Sequence, residues 1–172
     1  MINSTLRGRL EALLFDGYGT APYAITVGRF TRKSAELFAT DASSERRARV
    51  VIGLATDDAE GVNPLDSFAL RQRPVVVEIE YQRTQSGEDN AEGNDPLNGA
   101  GTDDAIGDRM AQDEHTIRCA LLWHEHWAGL DPYVYAIRTD GESETSFDGP
   151  VATLRVRFVA QSRDETPGSY GP

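Results

Sequence analysis

A chain of 172 residues with 39% hydrophobic residues is long enough to bury one core without covalent staples. Its 28 acidic residues against 17 basic leave a formal net charge of −11, the wrong sign for gripping phosphate over a broad surface. Cys119 is the only cysteine, so no intramolecular disulfide can form, and the composition suits a reducing cytoplasm.

Along the chain, Ile2, Leu6, Leu10, Leu13 and Leu14 recur at helical spacing while Arg7, Arg9 and Glu11 turn elsewhere, which predicts a short amphipathic helix lying on a sheet. The apolar stretch Ala12 to Phe15 is too short for a signal sequence or a bilayer span, and no membrane association is expected. Glycines at Asp16-Gly17-Tyr18-Gly19 end the helix. Tyr23, Ile25 and Val27 alternate as a half-buried strand running to Thr31, and Glu36 to Thr40 could pair back with it. A strand over Arg49–Ala55 places Val50, Ile52 and Leu54 on one face. Leu65, Phe68 and Leu70 fit one helical turn. After Pro74 comes the clearest strand, with Val75, Val77, Ile79 and Tyr81 on one face and Glu78 and Glu80 on the other.

Residues 84–101 carry too little apolar surface to offset their ordering entropy and are expected to form a mobile insert. Thr102 suits an N-cap and Asp103 and Asp104 suit the positive end of a helix, which Ile106, Met110, Ile117 and Leu121 continue towards Gly129. Tyr133, Tyr135 and Ile137 predict a strand, residues 139–150 an acidic connection, and Leu154, Val156, Phe158 and Ala160 a last strand whose other face bears Arg155 and Arg157. The reading is a single α+β domain over 1–160, a mainly antiparallel sheet flanked by the short N-terminal helix and one long helix, with a flexible tail at 161–172.

No catalytic motif emerges. His115, Cys119 and His126 share roughly one helix face, but His126 lies some 10 Å further along the axis, and His124 diverges from it by about 200°. One zinc ion cannot be held by all three, so no metal and no cofactor is expected. Gly17-Tyr18-Gly19 follows a helix and lacks a third glycine, which excludes the dinucleotide fingerprint. The acidic turns do not follow the alternation of an EF-hand loop. Glu78 and Glu80 against Arg155 and Arg157 are the remaining constellation, as cross-strand pairs if their strands are neighbours or as a subunit interface in an oligomer.

The opening Ser-Thr-Leu-Arg-Gly-Arg-Leu-Glu-Ala-Leu-Leu helix, the Arg73-Pro-Val-Val-Val-Glu-Ile-Glu-Tyr strand and the passage from the long helix into Thr-Leu-Arg-Val-Arg-Phe-Val together resemble the tail terminator and tail-completion proteins of long-tailed bacteriophages. The resemblance implies a structural virion protein rather than an enzyme: a homo-oligomer closing into a hexameric ring at the head–tail junction. Such a ring contacts the tail tube protein and the head connector, and DNA passes through without being specifically bound. It is assembled in the host cytoplasm. The insert near 84–101 and the C-terminal extension exceed the compact pattern of that family, which leaves another neck, connector or adaptor component as the alternative. A metal-dependent hydrolase built on the His/Asp/Glu-rich helix is the alternative from a different class.

Overall fold

A computed structural model of the chain describes residues 2–16, 23–26, 28–29, 46–57, 68–83, 103–123, 125 and 134–165. In chain order these form α1 (Ile2–Leu14), β1 (Phe15–Asp16), β2 (Ile25–Thr26), β3 (Gly28–Arg29), β4 (Arg46–Ile52), β5 (Thr56–Asp57), β6 (Phe68–Gln82), α2 (Asp103–Leu122), β7 (Val134–Thr139), β8 (Glu144–Asp148) and β9 (Val151–Glu165). The architecture is α+β, as the pattern of alternating strands and two amphipathic helices predicts. The expectations for 84–101, for Glu36–Thr40 and for the helix beyond Glu125 lie outside the described residues.

The spine of the sheet is β6 against β9, antiparallel over their full 15 residues, from Phe68 opposite Glu165 to Gln82 opposite Val151. Each outer edge of this pair is filled by two shorter strands end to end. On β6 these are β4 and β5, and on β9 they are β7 and β8, all antiparallel. β3 adds parallel to β4, while β1 and β2 form a separate small parallel pair. Because the side-chain period of a strand is two, this register sorts every residue by face. Val50, Val77, Ile79, Leu154, Val156 and Phe158 point to the helices and are almost wholly buried.

Both helices cover that same face. α1 buries Leu6, Leu10, Leu13 and Leu14, and α2 buries Ile106, Met110, Ile117, Ala120 and Leu121. Each leucine, isoleucine or methionine among them contributes roughly 1.5–3 kcal/mol by leaving water, and Ala120 less. The result is two layers with a core between helices and sheet.

Several boundaries differ from the sequence reading, each for a physical reason. β4 begins at Arg46 and stops at Ile52, so Leu54, expected on the buried face, projects at 85% exposure. Phe68 and Leu70 belong to β6 and not to a helical turn. Pro74 sits inside that strand, at the junction between its partners β4 and β5, where a missing N–H costs least; its carbonyl accepts from Gly53 N at 2.8 Å. The acidic connection contains β8, joined to β9 by a turn in which Gly149 has φ +53° ahead of Pro150. A two-residue hairpin with positive φ at its first central position is the type II′ arrangement. Finally, β9 runs on through Glu165, so the tail cannot begin at Gln161: Ser162 is buried, opposite Arg71 on one side and Val134 on the other.

Gly53 meets Pro74 closely enough to make a prediction. A Cβ at Gly53 would lie 2.5 Å from Pro74 Cγ and 3.2 Å from Cδ, atoms of a ring that cannot rotate away. Gly53→Ala is therefore expected to cost about 1–3 kcal/mol through overpacking, read as a lower urea midpoint at unchanged slope. Stability equal to the parent would show that the β4–β5 corner yields.

Candidate interaction surface

The helix-distal face of the sheet carries the charges singled out in the sequence. β6 presents Glu78 and Glu80, β9 presents Arg155 and Arg157, and register decides which of them meet. Glu78 stands opposite Arg155 on one side and opposite Arg49 on the other. Its carboxylate is shared: Oε2 accepts from Arg155 Nε at 2.6 Å, and Oε1 accepts from Arg49 Nε and Nη2 at 3.0 and 2.8 Å. The Glu78 side chain is 7% exposed, while its two guanidinium partners are about half exposed. The Arg155 guanidinium is held more firmly protonated by the hydrogen bond and then the charge of Glu78.

Glu80 and Arg157 do not meet. Glu80 stands opposite Arg47 and Thr153, and Arg157 lies opposite Val76 and turns to Glu144 of β8 at 2.8 Å. The sequence gives no sign of the roles of Arg49 and Glu144: Arg49 is the first residue of a predicted strand whose neighbour is not predicted, and Glu144 falls in the predicted acidic connection. The face therefore holds a line of alternating charge from β4 through β6 and β9 to β8. Exposed Arg138 of β7 extends it, since Arg138 lies opposite Val159 on this face.

A second polar group lies between helix and sheet. Asp113 of α2, buried at 4%, accepts from Arg46 Nη1 at 2.8 Å through both carboxylate oxygens and from the Tyr81 hydroxyl at 2.8 Å. Burial, then the neighbouring Asp113 carboxylate and its hydrogen bond, push the Tyr81 phenol far above its ordinary value. This triad clamps α2 onto β4 and β6. At the end of the domain Arg83 donates to both Asp103 oxygens at 2.9 Å and to the Gly149 carbonyl at 2.8 Å, and its guanidinium carbon lies 5.5 Å from the centre of the Phe147 ring. It ties the start of α2 to the β8–β9 turn. Ser143 and Arg118 both donate to Glu114, holding its carboxyl below the usual range. Beside Glu114 a groove of about 230 Å³ runs between α2 and β8, over Met110, Phe147 and Leu154.

His115 and Cys119 come within 3.6 Å on the exposed side of α2, and among the described residues no group of three or more His, Cys, Asp or Glu side chains is placed to hold a metal ion. His124 and His126 lie outside the described residues. No helix among the described residues is long and apolar enough to cross a membrane. No family model matches the chain, and no curated protein matches it in sequence.

Proposed function

We propose that the protein is a structural subunit of a bacteriophage neck, closing into a ring at the head–tail junction that terminates the tail tube and joins it to the connector. The observation that carries this reading is the likeness of pattern in three segments, the opening helix, the strand after Pro74 and the passage from the long helix into the closing strand. These segments are also the ones that build the molecule: α1 lies on β4, β6 runs the length of β9, and α2 covers β7 and β9. The open, charge-lined sheet face is what a subunit held by neighbours requires, since complementary charge fixes register between copies more than it adds affinity.

The ordered side chains support a scaffold. The buried Arg46–Asp113–Tyr81 cluster has each member hydrogen-bonded to another and faces the interior, so its role is to fix α2 on the sheet. The test is electron microscopy, with antibody labelling, of the phage particles produced from the genome that encodes this protein. Six copies around the axis between head and tail are expected. A single copy, a position on the capsid shell, or absence from the particle would overturn the reading.

A further inference from the structure

We propose that the outer edge of β8 is a docking edge for another protein, an extended basic segment of which, apolar at alternate positions, adds to it as a further strand. The proposal stands on this corner of the fold and is independent of the ring reading.

Backbone parity fixes which groups the edge offers. The Pro150 carbonyl accepts from Arg83 N on the β6 side at 2.9 Å, and the backbone groups of successive strand residues turn to alternate sides. Val151, Thr153 and Arg155 therefore turn theirs to β8, where they meet Asp148, Ser146 and Glu144. The bond from Asp140 N to the Arg157 carbonyl, at 3.0 Å, keeps the same parity. Thr145 and Phe147 lie between the residues bonded inward, so the N–H and C=O of each point away from β9. No described strand pairs with them there, and all five residues of β8 are exposed. Two donors and two acceptors in line are a template for an added strand.

Side-chain parity adds a groove to that edge. Thr145 and Phe147 stand opposite Leu154 and Ala152, both buried on the helix-covered face, so their side chains lie on that face too. A strand added beside them turns every second side chain into the groove of about 230 Å³ between β8 and α2. Phe147 stays 44% exposed although the Arg83 guanidinium lies over its ring. On the α2 wall Gly107 leaves room, since a Cβ there would meet nothing within 4 Å. Apolar side chains at alternate positions suit this space.

Charge decides the rest of the segment. Asp104, Gly107, Ala111, Glu114 and Arg118 follow one another at spacings of three and four, so Asp104 stands on the groove's flank of α2 with Asp108 beside it. The arginines of the corner are engaged: Arg118 by Glu114, Arg157 by Glu144, and Arg83 by Asp103 with the charge of Asp148 added. Arg155 serves Glu78, and exposed Arg138 is offset by exposed Asp140. Arg109, about 200° round the helix from Gly107, acts on the Tyr81 hydroxyl instead. Asp104, Asp108 and Glu142 are exposed and have no ion pair among the described residues, so the corner keeps a negative surplus. A second copy does not fit it. Antiparallel pairing of β8 with itself about Ser146 would set Glu144 directly opposite Asp148, and like charges there repel. The complement is a basic chain.

The probe is the peptide Ac-Lys-Lys-Val-Lys-Val-Lys-Lys-NH2, titrated into the isotope-labelled full chain and followed by NMR. Saturable shifts at Thr145, Phe147 and Gly107 are expected, with the Thr145 and Phe147 amide protons exchanging about tenfold more slowly or better in the complex. Gly107→Leu fills the groove and raises helix propensity, so it should melt no lower than the parent and bind roughly tenfold more weakly. Asp104→Lys with Asp108→Lys, at exposed positions, should weaken the peptide by about as much, and more at low salt than at high. Failure to saturate by about 1 mM peptide would overturn the proposal, as would either variant binding like the parent. An all-lysine peptide of the same length that binds as well would reduce the site to bare charge, and a glutamate-for-lysine peptide that binds as well would remove charge from it; each overturns the proposal. So would protection of Thr145 and Phe147 that grows with protein concentration in the absence of peptide, which would assign the edge to a second copy.

Discussion

Asp113→Ala is expected to destabilise the protein by about 3–5 kcal/mol, because it removes one partner of a buried ion pair and leaves the other charge in place. Arg46 keeps 17% of its side chain exposed and can recover some water, but the Tyr81 hydroxyl, in a residue 2% exposed, cannot. For a domain of this size each kcal/mol moves the melting temperature by about 2–4 °C, so the melting temperature should fall by roughly 6–20 °C. Tyr81→Phe removes only the hydroxyl and should cost about 1–2 kcal/mol. An Asp113→Ala protein that melts with the parent would mean that α2 is not fastened by this cluster.

The same hydroxyl gives a pH signature with a definite sign. The Tyr81 phenol is raised above its ordinary 10.0, first by burial and then by Asp113, so the folded state holds this proton more tightly than the unfolded chain does. Its contribution is complete below about pH 10 and is lost as pH rises beyond that, when only the unfolded state releases the proton. The Tyr81→Phe variant should therefore lose less stability than the parent between pH 10 and the alkaline limit of measurement. Parallel curves for the two proteins would count against the buried phenol.

How far the sequence disclosed this molecule depends on whether burial left a pattern. β6 was legible because Val75, Val77, Ile79 and Tyr81 alternate with polar residues, and the same holds for the middle of β9. Asp113 left a signal that was available and passed over. Ile106, Met110, Ile117 and Leu121 are spaced as a stripe with one place vacant, and Asp113 occupies it, three residues after Met110 and four before Ile117. A carboxylate at a buried helical position announces a buried partner. By contrast, β8 had no signal to give. All five of its residues are exposed, so no alternation marks it, and it is a strand because the Gly149-Pro150 turn folds it back on β9. The start of β4 and the polar end of β9 carry no such pattern either: Arg46–Ala48 and Gln161–Glu165 are strand by pairing, and pairing is a long-range fact. Register likewise decided that Arg157 meets Glu144 and not Glu80.

The charge line on the open face should show non-additive energetics. Removing Arg155 leaves Glu78 bonded to Arg49, and removing Arg49 leaves it bonded to Arg155, so either change to Ala should cost at most about 1 kcal/mol, the range of ion pairs whose cationic partner is half exposed. Removing both strands a carboxylate that is 7% exposed between two neighbouring strands, and a buried charge without a partner is a different kind of loss. The double variant Arg49→Ala with Arg155→Ala should lose about 2–4 kcal/mol, more than the singles combined, with the excess appearing as a coupling energy in the cycle. Adding Glu78→Gln to the double variant should recover part of that loss, since a neutral amide in the same place has less hydration to surrender. Additive single and double values would mean that water reaches Glu78 through the open face, and that the line from Arg49 to Arg155 is decoration on the sheet and no part of what holds β4, β6 and β9 in register.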